Sequence, residues 1–467
     1  MKKLIALLLA AVMVFALCAC GSTASSGSTG SASTGGSTAP ASSSDTASAE
    51  GKIINIYSWN TEFQTRVEAV YDKVDHTSDD GTVTYLTDGC EIHWVINPNT
   101  DGVYQQKLDE ALLKQDKAAA DEKVDMFLSE TDYVVKYTDA DVDVAIPLVD
   151  LGINPDTDLA DQYEYTKVVA SDANGVQRGS TWQGCPCLLV YRRDIALDVF
   201  GTDDPDEIAA ICADWGKMKD AAAQLKDKGY YTFASYADTF RSYGNSISAP
   251  WVTGTTLTVD PRIMEWVSDS KEWLDAGYLD KNIKGQWNDD WNKSMGSKSS
   301  VFAFLFPAWG IDFVLNPNWD GAAGSWGVTT GPQSFNWGGS FIHGCRGTDN
   351  PEHVKEIMLA LTGNADNMKK ITVDYIEFTN NRAVMGEIAN DETFGTEFLG
   401  GENPFKYFAP AAEGITMATL SPYDQGCVEL IQSSFSDYLQ GLVDFDRAKT
   451  NFETAIRERY PDITEIV

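Results

Sequence analysis

Apolar positions along this chain switch between two spacings. Lys52-Ile53-Ile54-Asn55-Ile56-Tyr57 reads as a short strand, and after it Phe63, Val67, Val70 and Tyr71 recur at helical spacing. Glu91-Ile92-His93-Trp94-Val95-Ile96 is a second strand, 102–115 a helix, Val124-Asp125-Met126-Phe127-Leu128 a third strand and 132–137 a helix. Strands alternating with helices predict βαβ units and a mainly parallel sheet. Ligands of such sheets sit beyond the carboxyl ends of the strands. Tyr57, Trp59, Ser129, Glu130 and Asp132 fall at those ends.

The pattern restarts near residue 185. Cys187-Leu188-Leu189-Val190-Tyr191 reads as a strand, and 214–228 as a helix with Met218, Ala222 and Leu225 on one face. Pro261 opens a helix carrying Ile263, Met264, Trp266, Val267 and Trp273. A buried strand over 301–306 stops at Pro307, 316–325 reads as loop, 340–345 as a connecting strand, and 351–361 as an amphipathic helix. Long helices follow at 427–442 and 445–459. There is no internal repeat, and two α/β lobes with several crossings fit this length.

Ahead of this body the composition changes. Lys2 and Lys3 precede an apolar run over 4–17 that ends in Leu17-Cys18-Ala19-Cys20-Gly21. A basic start, a short apolar core and a small-residue exit make a secretory signal, too short for a comfortable membrane span. The exit resembles the bacterial lipobox, which implies cleavage after residue 19 and lipidation of Cys20. Residues 22–50 are almost wholly Ser, Ala, Thr and Gly, a flexible tether. The expectation is a body held by lipid at the extracellular face of the cell membrane. No later apolar run approaches the ~20 residues of a membrane helix.

Charge narrows the partners. Lys and Arg number 35 against 69 Asp and Glu, a formal net charge of −34. Such a surface is repelled by phosphate backbones and anionic headgroups, which excludes nucleic acid as a partner. Cys90, Cys185, Cys187, Cys212, Cys345 and Cys427 remain in the body, without the spacing of a disulfide framework. His76, His93, His343 and His353 are scattered, and none lies near a Cys pair at zinc-ligand spacing. Asp139, Asp141 and Asp143 imitate the start of an EF-hand loop, but Val144 replaces its glycine and Asp150 its final glutamate. No metal or cofactor is therefore expected.

The aromatic residues point to chemistry. Of 13 Trp, several lie on predicted helices as core, among them Trp215, Trp266 and Trp273. Others stand at strand ends beside polar residues: Tyr57-Ser58-Trp59-Asn60 with Glu62; Trp182-Gln183-Gly184; Asp238, Phe240, Arg241 and Trp251; Trp309-Gly310; and Trp337-Gly338-Gly339. A pyranose offers an apolar C–H face to an aromatic ring, and hydroxyls that need Asp, Asn, Gln or Arg in the ring plane. Each Trp taken alone is as compatible with packing.

These segments carry a resemblance over essentially all of 51–467. The strand ending in Tyr57-Ser58-Trp59-Asn60, Val124 to Asp132, Leu189-Val190-Tyr191-Arg192-Arg193-Asp194 with the downstream Trp215, Val301 to Trp309-Gly310, and Gly327-Val328-Thr329 through Ile342 to Asn350-Pro351 together resemble the extracellular solute-binding proteins of ABC transporters, in the sugar-binding group that includes maltose-binding protein. The resemblance implies an α/β periplasmic-binding-protein-like fold, with two lobes, a multi-strand hinge and a ligand cleft between them. It implies lobe one over 51–177 plus 345–408 and lobe two over 178–340 plus 409–467. Crossings would lie near 177–181, 339–345 and 408–414. A monomer that captures a carbohydrate, an oligosaccharide by its aromatic count, and hands it to permease subunits is the implied activity. Trp309 falls on the family's stacking Trp, Trp59 and Asn60 on the first-lobe ligand loop, Asp132 near a sugar-binding carboxylate, and Asp238, Phe240 and Arg241 on a loop lining the cleft. The stretch 75–90 departs from the pattern as an insertion, and Cys185-Pro186-Cys187 replaces an ordinary strand.

Other readings stay open. Few basic residues in the candidate loops disfavour an anionic solute, while a peptide or polyamine remains compatible. A secreted glycosidase needs two carboxylates flanking the bond. Glu62, Asp132 and Asp238 could supply them, yet no paired motif, GxSxG or HExxH occurs. A structural or adhesive surface protein would bring repeats, and none is present.

Overall fold

The computed structural model describes residues 51–417 and 420–467. The signal, Cys20 and the tether lie outside the described residues. In chain order the strands are β1 (Ile53–Ser58), β2 (Val74–Thr77), β3 (Val83–Leu86), β4 (Glu91–Ile96), β5 (Met126–Glu130), β6 (Ser180–Thr181), β7 (Pro186–Arg192), β8 (Val252–Thr253), β9 (Thr256–Leu257), β10 (Ala303–Pro307), β11 (Trp326–Thr329), β12 (Phe335–Asn336), β13 (Ser340–Gly344) and β14 (Glu465–Ile466).

Two main sheets organise them. The first runs β2-β3-β4-β1-β5-β13-β6. Its centre is parallel, with β1 between β4 and β5. In β1, Ile54 and Ile56 alternate with less buried residues, as a strand between unlike faces requires. The second sheet runs β10-β7-β11, with β12 also on β7, and it is wholly antiparallel. In the two main sheets the parallel expectation therefore holds only for β4-β1-β5. In β7 every residue is buried, since both faces of that strand are covered. The stretch read as an insertion supplies the β2–β3 hairpin on the edge of the first sheet, turned at Gly81 with φ 72°.

Each sheet has its own core. Ile54, Ile56, Phe63, Met126, Ile342, Ile357 and Leu361 pack on the first. Leu189, Val190, Trp266, Trp291, Phe304 and Trp326 pack on the second. Three of the places where the chain passes between cores bear on the site. One is 182–185, between β6 and β7, and another is 337–339, between β12 and β13. The third is 376–378: Ile371 lies in the first core and Phe378 in the second. The sequence reading placed this passage at 408–414. Phe405 and Phe408 instead pack in the second core with Phe378, so 378–408 sides with the second sheet. Each passage contains a left-handed residue: Cys185 (φ 51°), Gly338 and Gly339 (φ 83° and 114°), and Ile376 (φ 53°). Such φ values let the chain turn sharply, at a strain cost for Cys and especially for β-branched Ile. Among the described residues no helix is long and apolar enough to cross a membrane.

Candidate ligand cleft

At the carboxyl end of β5 the two halves meet. Asp132 accepts two hydrogen bonds from Arg241, Nη1 to Oδ1 at 2.7 Å and Nη2 to Oδ2 at 2.6 Å. Arg241 stands on the Ala237–Gly244 helix, which packs on the second core. A bidentate fork of this kind is strong and directional. Beside it the Thr131 hydroxyl donates to the Gly338 carbonyl at 2.6 Å, and Gln105 donates to Gln425 at 3.0 Å. The cavity left around Asp132, Arg241, Trp251, Asn336 and Asp424 is only about 60 Å³. That holds roughly two waters, against the ~300 Å³ or more of a usual ligand pocket. A sugar-sized solute does not fit this cavity as it stands.

An aromatic wall continues from this latch. Arg241 lies over the Trp337 ring at 5.3 Å, a cation–π contact. Trp337 meets Trp309 edge-on at 5.5 Å and Trp287 edge-on at 6.1 Å. The Trp309 indole N–H donates to the Trp337 carbonyl at 3.2 Å, which sets its tilt. Gly338 lies against this ring: a Cβ there would come within 3.3 Å of Trp309. Trp287 and Trp309 are near parallel, 12° apart with centroids 6.5 Å apart, and Trp287 is 58% exposed.

The predicted residues divide between wall and support. Asp132, Arg241, Trp309 and Trp337 form the latch and wall. Phe240 and Trp251 line the small cavity but are almost fully buried, Phe240 edge-on to Trp266. Asp238 is also buried and accepts from the Ser235 N–H, the Gln286 amide and the Trp291 indole. Its oxygens thus anchor the loop that carries Trp287. Trp182 has no exposed surface. It packs on Phe63, and its indole donates to Glu377 at 2.9 Å, so it is core beside a crossing strand and cannot serve as a stacking surface. Tyr57 lines a separate groove with Val95, Asn97 and Lys107, and its ring lies by Tyr104 and Cys345. Trp59 is edge-on to Tyr104, and Asn60 accepts from the Glu62 N–H in the turn ahead of the next helix. Both are half-buried, and their hydrogen bonds and ring contacts go to neighbours other than the latch.

Sequence reasoning missed Trp287, Glu377 and Asp424, and it named Glu130 only as a strand-end residue and Gln183 only as a neighbour of Trp182. Trp287 sits in a loop at φ 61°, outside any periodic pattern. Gln183 joins the crossing strands: its carbonyl accepts from the Ser340 N–H and its amide donates to Glu62 and Glu377. The EF-hand imitation is resolved by Asp143, which pairs with Arg178 and Arg346. The scattered histidines are not all isolated in space: His353 meets Asp88 and Cys90. Among the described residues no disulfide forms.

Carboxylates dominate the electrostatics. Burial, then the neighbouring Asp132, pushes Glu130 up to about 8. Burial, then Glu377, pushes Glu62 up to about 7. Burial lifts Asp238 to about 6, Asp125 to about 6 and Asp424 to about 7. Burial also opposes the charged form of Asp132, yet Arg241 holds it below the usual carboxylate range. Raised carboxyl groups bind more protons folded than unfolded, so stability should fall as pH rises from about 5 to about 8. His343 opposes this trend below its unfolded value, because burial lowers it to about 4. Thermal melts should therefore peak in mildly acidic buffer, and Glu62→Gln should flatten the alkaline decline. A melting temperature that rises steadily to pH 8 would contradict this account.

Comparison with known proteins places the architecture. The fold is similar to a solved extracellular solute-binding protein of family 1, with 16% identity, TM-score 0.69, and 89% of this chain and 100% of that one covered. It is similar to the sugar-binding protein MalE from Xanthomonas citri, with 14% identity, TM-score 0.64, and 88% and 98% covered. It is also similar to an ABC-transporter-associated binding protein from B. animalis subsp. lactis Bl-04, solved with beta-1,6-galactobiose, with 16% identity, TM-score 0.63, and 89% and 99% covered. No curated protein matches the sequence. The family model for bacterial extracellular solute-binding proteins matches residues 95–396, well over half of the chain, and the chain belongs to that family.

Proposed function

We propose that this protein is a lipid-anchored extracellular receptor that captures a carbohydrate between its two lobes and presents it to the permease of an ABC importer. The observation that carries the reading is the run Asp132–Arg241–Trp337–Trp309–Trp287. A bidentate charged pair, able to exchange its partners for hydroxyls, continues through the buried Trp337 to the half-buried Trp309 and the exposed Trp287. Parting of the latch opens space between Trp287, Trp309 and the β5 end. A sugar ring then stacks on the indoles while Asp132 and Arg241 turn to its hydroxyls. Similar structures were solved with beta-1,6-galactobiose, cycloalternan and maltose, which supports the solute class. Cys20 and the 22–50 tether support the anchor. The crowded carboxyls of Glu130 and Asp424 favour, as second reading, a cationic solute such as a polyamine.

A thermal-shift screen of sugars, peptides and polyamines separates these, since a ligand of the folded state raises its melting temperature. An oligosaccharide recovered unhydrolysed after stabilising the protein is the expected result. A sugar that is consumed would replace the receptor reading with a glycosidase, and stabilisation by amines alone would replace the sugar. With the best sugar, Trp309→Ala and Trp287→Ala should each weaken binding by ~1–3 kcal/mol without lowering the melting temperature appreciably. Unchanged affinity in both would remove the indole wall from the site.

A further inference from the structure

At the end of the first sheet remote from the cleft, three residues of metal-ligand type come together. Asp88 and Cys90 belong to the turn between β3 and β4, ahead of the amino end of β4. The latch lies past the carboxyl end of β5, which runs the same way. His353 is the third residue of the Pro351–Thr362 helix. Its Nε2 is 3.0 Å from Asp88 Oδ2, and one ligand atom from each of Asp88, Cys90 and His353 lies within 4.8 Å of the others. The Cys90 backbone N–H donates to the other Asp88 oxygen at 3.1 Å, which fixes the turn around the carboxylate.

We propose that Asp88, Cys90 and His353 bind a zinc-class divalent cation that clamps the β3–β4 turn to the Pro351–Thr362 helix. Imidazole, thiolate and carboxylate together suit zinc, and exclude magnesium or calcium as preferred occupants. Zinc bonds of about 2.0–2.3 Å put tetrahedral ligands roughly 3.5 Å apart. The set therefore contracts by about an ångström on binding, within reach of a half-exposed turn. Three protein ligands leave a fourth position for water. Charge also balances. Lys73 lies 3.5 Å from Asp88 and 2.6 Å from Glu356, and Tyr71 donates to the same Glu356. Without metal, two carboxylates face one ammonium. With a divalent ion and a deprotonated Cys90, three anions face three positive charges, and Lys73 retains Glu356. The His353 ring is already oriented: it is 8% exposed, and Nδ1 is buried without a hydrogen-bond partner, so Nε2 is its only polar anchor.

The test is a titration of chelator-stripped, reduced protein with Zn²⁺, and separately with Co²⁺, whose thiolate bond gives a near-ultraviolet charge-transfer band. Saturation at one equivalent and a cobalt band are expected. Cys90→Ser should abolish the band and, like His353→Gln, weaken zinc binding by more than about tenfold, since even losses outside the ligand shell cost that much. Cys90 is half-exposed, so its serine variant should keep the melting temperature of the metal-free protein. Zn²⁺ should raise the melting temperature of the native sequence and not of Cys90→Ser. No saturable uptake, or uptake equally strong in both variants, would overturn the site. Neither outcome bears on the cleft, which shares none of these residues.

Discussion

Replacing Trp182 by alanine should cost about 3–5 kcal/mol of stability, the range for emptying a large buried aromatic site. In a chain of this size that is a fall of roughly 3–6 °C in melting temperature. The ring fills the first core against Phe63, and its N–H satisfies Glu377, so the substitution leaves a void and removes a partner from a buried carboxylate. Trp182→Phe should recover most of the packing and not the hydrogen bond. The contrast is Trp287→Ala, where the side chain is largely exposed and the residue sits at positive φ, so the melting temperature should barely move. Side-by-side thermal melts decide it. An unaltered melt for Trp182→Ala would mean that this indole is not a core residue.

Arg241→Met should unfasten the two halves. Breaking a buried pair by removing one partner typically costs ~3–5 kcal/mol. Here the side chains keep 25% and 29% exposure, and solvent screening brings the figure to about 2–3 kcal/mol. The cost falls on the closed arrangement, because Asp132 can hydrate once the halves separate. Solution scattering of the ligand-free protein should show a larger radius of gyration for Arg241→Met. The double variant Asp132→Asn with Arg241→Met should return towards the native value, since the orphaned charge is gone. Identical scattering from native protein and Arg241→Met would show that this pair does not hold the closed form.

Much of the fold was legible because periodicity reports burial. The helices Pro261–Ala276, Pro351–Thr362 and Phe445–Arg459 lie where apolar spacing, helix-starting prolines and flanking polar residues put them. Strands β1, β4 and β5 likewise sit under their apolar runs. Pairing direction was less legible. A fully buried strand such as β7 reads the same whether its neighbours are parallel or antiparallel, and its partners return more than a hundred residues later. The passage at 376–378 was hidden for a similar reason: Phe378, Phe405 and Phe408 advertise burial without saying in which core. Residue type and the resemblance together picked out Asp132, Arg241, Trp309 and Trp337, which the structure brings side by side. Residue type could not tell a Trp facing a cavity from one such as Trp182 facing Phe63. Trp287 gave no periodic signal because its position depends on Asp238 gripping the loop from either side, through Gln286 and Trp291.

Strand β13 has a consequence for the order in which the molecule can be built. It lies between β5 and β6, completing the first sheet with residues 340–344 after all of β10 and β11 has been spent on the second. A chain emerging amino end first exposes β5 for some two hundred residues before its neighbour exists. Neither half can finish as an independent unit during synthesis, and closure waits on a contact of very long sequence separation, which is slow to form. A polypeptide so arranged cannot close either half until β13 has been made, so its last third decides when its first third is finished.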